Sequence, residues 1–312
     1  MQWTDHLASS TVPELPEVEI TARRIGAAVV GATVESAVAP GLNTLKTFDP
    51  PLSALDGRTL TGVRRRGKHL IIDADGGLSL LLHLMAAGRL QLYAKRAGPR
   101  DRTSRLLLRL DGEGDEDGQR GGEGDGQRGG DGDRELRLRE FGTRQAAWVK
   151  VLETDAVEGD DALAKLGPEA WPDPPQLGPL LAAPRPLHSI LRDQRVIAGV
   201  GRSWVDEILH AAKLSPFKRG NDLAESQAQA LRAATVERLG SAIEHYEQVI
   251  TLPIPDKMPM PLTVHRHEGE PCPRCGERLR SVHFEDYTVA YCPACQTAGK
   301  VLKDRRMSRL LR

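Results

Sequence analysis

Aromatic residues are scarce in this chain: four Trp, four Tyr and four Phe among 312 residues. Hydrophobic residues make up 39% of it. That is a lean but adequate supply for a core, and the length suits two domains of ordinary size. Long apolar runs are missing too. None approaches the ~18–20 residues needed to cross a bilayer, so no membrane partner is expected. The first twelve residues hold Asp5 and His6 but neither a basic n-region nor an apolar centre. They do not read as a secretory signal, and the expected compartment is the cytoplasm. Cysteine is limited to four residues.

An excess of either charge is also lacking, since the formal net charge is zero. The distribution is uneven, however. Residues 111–135 hold ten acidic residues against three basic ones, a net −7 that leaves +7 on the rest. The last stretch sets Lys300, Lys303, Arg305, Arg306, Arg309 and Arg312 against Asp304. A basic body with an acidic insert suits a polyanionic partner. Charge runs are also common on solvated faces, and charge alone leaves that blander reading open.

Apolar residues at Val18, Ala22, Ile25, Ala28 and Val29 follow a helical spacing over 16–31, with Pro early and Gly31 at the end. Short apolar runs between turn residues over 60–93 read as strands, among them Leu70-Ile71-Ile72 and the run 78–84 around the turn Asp75-Gly76-Gly77. Residues 111–134 are glycine-rich and repeat Gly-Gln-Arg-Gly-Gly at 118–122 and 126–130. Such a segment buries too little to offset ordering entropy, and it reads as a disordered acidic loop between strands at 105–110 and 135–139. A further strand is expected over 146–153. Seven prolines over 167–186 suggest an extended linker. Helical patterns follow at 187–192, 203–213 and 222–251.

Cys272, Cys275, Cys292 and Cys295 form two Cys-Pro-x-Cys pairs separated by sixteen residues. Two such knuckles supply four thiolates for a tetrahedral zinc ion, with room for a β-hairpin between them. A disulfide pair or a redox motif is the alternative, which a cytoplasmic setting disfavours. A four-cysteine site leaves no position open for water, so one zinc ion here is structural and does not name a chemistry. Zinc ribbons serve nucleic acids and proteins alike.

The opening Pro13-Glu14-Leu15-Pro16-Glu17-Val18-Glu19 resembles the mature N-terminus of the formamidopyrimidine-DNA glycosylase/endonuclease VIII family. The resemblance continues in order. Arg65-Arg66-Gly67-Lys68-His69-Leu70 is similar to the family's basic hairpin, and Leu82-His83-Leu84 through Gly88 to its next strand. Glu140-Phe141-Gly142 resembles the end of its intercalation loop. Ala198-Gly199-Val200-Gly201 into Glu207 resembles its helix–two-turns–helix motif, and Gly269-Glu270-Pro271-Cys272 onward its zinc finger. Five ordered blocks after the opening, spanning nearly all of residues 13–297, are far more specific than any one of them.

The resemblance implies an α+β fold: an N-terminal helix and β-sandwich domain, then a helix–two-turns–helix domain with a C-terminal zinc ribbon. The expected division is a removed or non-native leader at 1–12 and a catalytic domain at 13–154. A Pro-rich linker at 155–186, a DNA-binding domain at 187–261, the ribbon at 262–297 and a basic tail at 298–312 complete it. The implied partner is damaged double-stranded DNA, bound by a monomer at the bacterial nucleoid. The implied activity is removal of oxidised bases, purines foremost, with strand cleavage by β/δ elimination. By resemblance Pro13 is the nucleophile, Glu14 the general acid/base, Glu17 its support, and Lys68 reaches the phosphate and lesion region. His83 and Arg202 contact phosphate, Arg139 and Phe141 fill the gap left by a flipped base, and Trp204 stands where the DNA-binding motif has Tyr. A secondary amine with a lower pKa than lysine's suits attack on a sugar C1′, and base chemistry requires flipping. Each residue also has a plainer reading. Glu14, Glu17 and Glu19 suit a helix's first turn, Lys68 a solvated hairpin, His83 a core histidine and Phe141 ordinary packing.

Four departures from the family pattern stand out. Twelve residues precede Pro13, and an amide-bonded proline has no N–H and cannot attack. Initiation at Val12, through a GTG-type codon, would expose Pro13 once the initiator is removed. Arg202 and Trp204 replace an Asn and a Tyr, and Tyr287 replaces the zinc-finger Arg. Ala86 takes the place of a void-filling Met, with Met85 one position away, in what reads as a strand where that slip reverses the face. Two other readings remain: an enzyme acting mainly on abasic sites, or a non-catalytic damaged-DNA-binding protein if Pro13 stays blocked.

Overall fold

The computed structural model describes residues 12–41, 43–98, 101–111, 134–141, 145–285 and 287–302. The chain divides into two compact units. Unit 1 comprises Met1–Pro13, Glu17–Leu163 and Val249–Met258, and unit 2 comprises Glu14–Pro16, Ala164–Gln248 and Pro259–Arg312.

Helix α1 (Leu15–Val29) opens the described chain, with Val18, Ile25 and Val29 fully buried on its apolar stripe. Eight strands follow: β1 (Val34–Val38), β2 (Leu60–Arg66), β3 (His69–Ala74), β4 (Leu78–His83), β5 (Gly88–Tyr93), β6 (Ser104–Leu110), β7 (Arg134–Glu140) and β8 (Trp148–Glu153). They form two four-stranded sheets in the orders β1-β6-β7-β5 and β2-β3-β4-β8. The paired strands within both are antiparallel. These are the two layers of the expected sandwich. Leu136 and Leu138 alternate with charged residues along β7, which places the leucines on one face. The other face is buried too, so its charges need partners. Glu135 accepts from Arg137 Nε and from the Ala97 N–H at 2.8 Å. β6 and β7 pair Leu110 with Arg134, so Arg134, expected inside the acidic loop, begins a strand instead. The rest of that loop, from 112 to 133, lies outside the described residues, as do 1–11 of the leader and 303–312 of the tail.

Unit 2 holds α2 (Leu177–Leu181), α3 (Leu187–Leu191), α4 (Arg202–Ala211), α5 (Glu225–Val249), the hairpin strands β9 (Arg280–His283) and β10 (Thr288–Tyr291), and α6 (Pro293–Gln296). Its core gathers Leu15, Leu177, Leu187, Trp204, Ile208 and Leu239.

Two expectations need correction. Residues 155–186 are not an extended linker. The stretch to Leu163 belongs to unit 1, where Val157 is buried, and the remainder belongs to unit 2, where Ala170, Leu177 and Leu181 are core residues. Its prolines shape turns and the first turn of α2, where a missing N–H costs nothing. Residues 249–258, expected within the DNA-binding domain, belong to unit 1. Side chains of that unit hold their backbone. Arg24 Nε donates to the Ile250 carbonyl at 2.8 Å, Gln91 Nε2 to that of Ile254 at 2.7 Å, and Arg89 Nε to that of Asp256 at 2.7 Å.

Candidate active site and DNA-binding residues

The segment Pro13 to Glu17 is buried throughout. In unit 1, Pro13 and Glu17 line one small cavity with Thr21, Leu84, Arg89, Leu90, Ile254 and Met258. Its volume is about 10 Å³, room for roughly one water. Arg89 is buried there, and burial, the largest influence, lowers its pKa against the opposing pull of Asp256 and Glu17.

Glu14 lies in unit 2, where its carboxylate sits at the start of α4. Oε1 accepts from the Ser203 N–H at 2.8 Å and Oε2 from the Trp204 N–H at 3.4 Å. The first amides of a helix have no partner within it, and an anion satisfies them. Glycines make the approach possible. A Cβ on Gly201 would come within 2.3 Å of the Glu14 carboxyl carbon. Gly199, at φ +103, carries its carbonyl to the Leu15 N–H at 3.0 Å, and a Cβ there would meet Leu15 Cδ1 at 2.5 Å. The Ala198-Gly199-Val200-Gly201 turn is therefore the socket for Glu14 and Leu15.

Further along α4, Glu207, quoted above only as the end of a motif, and Asp206, which sequence reading passed over, bind the zinc-ribbon segment. Glu207 Oε1 accepts from the Val264 and His265 N–H groups at 2.8 and 2.9 Å. Asp206 Oδ2 meets His265 Nδ1 at 2.8 Å and accepts from the Ala290 N–H at 3.0 Å, and Oδ1 lies 3.4 Å from His188 Nε2. Burial opposes the Asp206 charge, but hydrogen bonds to the two histidines outweigh it and hold the carboxyl below its ordinary value. Two adjacent acids inside an apolar helix were the available signal.

Trp204 needs correction as a DNA-contacting residue. Its side chain is 2% exposed and belongs to the unit 2 core. The helical spacing of Trp204, Val205, Ile208 and Leu209 marks that buried face. Arg202, two residues earlier, is exposed, and its guanidinium lies 5.5 Å from the Tyr287 ring centre.

In unit 1, Lys68 occupies the two-residue turn between β2 and β3, where Gly67 takes φ +57 as tight hairpins require. The neighbouring arginines are already paired: Arg65 Nε with Glu19 at 2.9 Å and Arg64 Nε with Asp73 at 2.8 Å. Glu19 therefore serves the hairpin. His83 ends β4, between the His69 and Trp148 rings at 4.5 and 6.0 Å. Its Nδ1 accepts from the Met85 N–H at 2.8 Å. Burial, then His69 and Lys68, pushes its pKa down to about 3. It is a neutral imidazole with Nε2–H as its donor. Met85 and Ala86 lie in a turn and not in a strand, with Met85 at φ +53, so the alternation argument about their faces does not apply.

Phe141 is 37% exposed beyond the end of β7, and the Arg139 guanidinium lies 4.6 Å from its ring centre. Arg139 also donates to the Tyr93 hydroxyl at 2.6 Å and to Thr103 Oγ1 at 3.1 Å. Buried Glu140 accepts from the Ala146 N–H at 2.9 Å and the Ala147 N–H at 3.1 Å, clamping the base of this loop. Gly142 lies outside the described residues.

The four cysteine sulfurs all lie within 4.8 Å of one another. Cys275 and Cys292 Sγ are 3.5 Å apart, Cys272 and Cys295 Sγ 3.9 Å, and none forms a disulfide. A tetrahedral ion at ~2.3 Å from each sulfur requires separations of about 3.8 Å. The set fits one structural zinc ion. His210 Nε2 of α4 lies 3.2 Å from Cys272 Sγ, and Arg274 Nη1 donates to the His210 carbonyl at 2.8 Å.

Three family models match in the order of these parts: the formamidopyrimidine-DNA glycosylase N-terminal domain over residues 12–122, its H2TH domain over 179–253, and the zinc finger found in FPG and IleRS over 269–298. The formamidopyrimidine-DNA glycosylase of Thermus thermophilus is 33% identical, covering 92% of this chain and 100% of the relative. That of Lactococcus lactis is 30% identical over 91% and 99%. An uncharacterized formamidopyrimidine-DNA glycosylase-like protein of Mycobacterium tuberculosis is 42% identical, over 40% of this chain and 80% of its own. Among solved structures, a complex of the Lactococcus lactis Fpg with abasic-site DNA has a TM-score of 0.75 at 27% identity, covering 91% of this chain and 99% of that one. MutM bound to DNA containing carbocyclic 8-oxo-G has a TM-score of 0.75 at 28% identity, over 91% and 100%. The chain belongs to the formamidopyrimidine-DNA glycosylase family, DNA glycosylases of base excision repair, with a zinc finger as its C-terminal module.

Proposed function

We propose that the protein, acting as a monomer, is a bifunctional DNA glycosylase and abasic-site lyase for oxidised bases, leaning to purines, with the Pro13 amine as nucleophile. The observation that carries this reading is the burial of Glu14 on the amides of Ser203 and Trp204, which fixes a carboxylate next in the chain to that amine. The chemistry requires Pro13 to be residue one of the working protein.

The Pro13 nitrogen attacks C1′ of the damaged nucleotide, the N-glycosidic bond breaks, and the base leaves with the bonding pair and gains a proton. The amine loses its proton and an iminium forms. Glu14 delivers a proton at the sugar ring oxygen as the ring opens. Loss of a C2′ proton then expels the 3′ phosphate, a second elimination expels the 5′ phosphate, and water releases the amine. Glu17 keeps the Pro13 cavity polar. Lys68, Arg202 and the His83 Nε2–H meet phosphates, while Phe141, braced by Arg139, enters the space left by the flipped nucleotide.

A second reading has the chain acting mainly on abasic sites. The replacement of family residues by Arg202, Tyr287 and Ala86 favours it, since it alters the recognition residues. Borohydride trapping tests both readings. Protein starting at Pro13 should form a covalent adduct with abasic and with 8-oxoguanine duplexes. An adduct with the abasic duplex alone selects the second reading, and none with either rejects both.

A further inference from the structure

The last turn of α4 carries a side chain that the proposed reaction does not use. His210 is buried, and its Nε2 lies 3.2 Å from Sγ of Cys272, which is buried as well. A buried ring N–H needs an acceptor. His210 stands one turn after Asp206, whose carboxylate accepts from the Ala290 N–H, so both side chains face the ribbon. The first knuckle answers from its own side. Arg274, between Cys272 and Cys275, donates to the carbonyls of His210 at 2.8 Å and Ala211 at 3.2 Å. A guanidinium there satisfies carbonyls that the end of a helix leaves open. The second knuckle is tied to the turn after α4, where Gln296 Nε2 donates to the Leu214 carbonyl at 2.9 Å. These contacts fix the imidazole relative to the sulfur.

We propose that His210 donates its Nε2 hydrogen to the zinc-bound thiolate of Cys272 and so retains the metal from outside its ligand set. A zinc-bound thiolate can only accept, so the ring nitrogen facing it carries the hydrogen. Four thiolates on a divalent ion leave negative charge in surplus, and burial makes donors to the sulfurs valuable. Cys292 Sγ accepts from the Cys295 N–H at 3.5 Å, a bond made within one knuckle. The donor to Cys272 instead stands 62 residues earlier, on the helix whose first amides hold Glu14. Such a bond orients the sulfur and opposes its protonation, the step that lets zinc leave. His210 is a positioning residue and not a fifth ligand: among the described residues, the group whose donor atoms all lie within 4.8 Å of one another is the four sulfurs.

The test follows zinc transfer from the zinc-loaded full chain to excess EDTA, together with the absorption of the cobalt-substituted protein. His210→Phe fills the space without a donor and should speed zinc transfer about tenfold. His210→Gln, whose side-chain amide brings an N–H to the same region, should keep the wild-type rate. The sulfur-to-cobalt charge-transfer band should shift in His210→Phe and return in His210→Gln, with the d–d bands of a four-sulfur site in all three proteins. Equal transfer rates in the three overturn the proposal. A faster rate shared by both variants reduces His210 to packing and overturns it too. Wild-type d–d bands that become those of a four-sulfur site only in His210→Phe would make the histidine a ligand, which also contradicts it. A measurement on the wild-type protein stands apart from the folding of any variant. With isotope-labelled histidine and cadmium in the site, nuclear magnetic resonance should find the hydrogen on His210 Nε2 and its scalar coupling to the metal. An Nε2 without hydrogen overturns the proposal outright.

Discussion

The cavity at Pro13 and the cavity at Tyr287 are built on opposite plans. The first is closed by its own chain: Ile254 and Met258 line it, and Arg89 and Gln91 fix the segment that carries them. The second is about 410 Å³ and walled by rings from three separated stretches. Carboxylates belong to the first region and the adjoining segment, whereas stacked aromatics and guanidiniums belong to the second. A reacting centre needs water excluded and charges fixed. The difference teaches that two cavities of one chain can be walled by quite different residue types.

The comparison breaks most completely at the zinc. Chelation, or Cys292→Ser, should unfold the ribbon that carries Phe284 and Tyr287, since structural zinc binding is worth on the order of 10 kcal/mol. DNA binding and metal content should fall together, and α1 with the two sheets should keep their secondary structure by circular dichroism. Retained binding after zinc loss would detach the ribbon from DNA recognition.

Glu14→Gln should lower the trapping rate by about 10²–10⁴, the range for loss of a general acid/base. It should also lower stability by about 1 kcal/mol by weakening the anion at the α4 terminus. A loss of stability with trapping unchanged would reduce Glu14 to a helix cap.

The His69–His83 pair gives a smaller effect. Burial leads the causes in both, lowering His69 to about 4 and His83 to about 3. The folded state therefore favours neutral rings. Their contribution is fully present above about pH 6.5, the unfolded value, and is lost as pH falls toward 4 and 3. NMR titration should show both rings neutral at pH 5, and His83→Gln should change DNA affinity equally at pH 5.5 and pH 8. A ring charging near pH 6.5 would contradict this arrangement.

Lys68→Ala is the gentlest probe. It should weaken binding across sequences and reduce the salt slope by about 1. An unchanged slope would return Lys68 to the solvated turn.

Much of this was legible in sequence where residue types carry geometry. The Cys-Pro-x-Cys pairs foretold the sulfur cluster, and strands were expected on both sides of the acidic segment, where β6 and β7 lie. The socket for Glu14 was written in Gly199 and Gly201, though only as a resemblance. What stayed hidden depends on groups without a residue signature. Residues 249–258 join unit 1 through backbone carbonyls of Ile250, Ile254 and Asp256, and every residue has a carbonyl. Trp204 was misplaced because a motif position was given more weight than the apolar spacing around it. The aromatic cluster brings Phe217, Phe284 and Tyr287 to His188 across distances along the chain that no local pattern reports.

The central claim is that the Pro13 amine is the nucleophile, and borohydride trapping on an abasic duplex tests it most directly, comparing protein that begins at Pro13 with protein that retains Val12. The account predicts a covalent adduct from the first, lost in Pro13→Gly, and none from the second. An equal adduct from both would place the nucleophile elsewhere and contradict it.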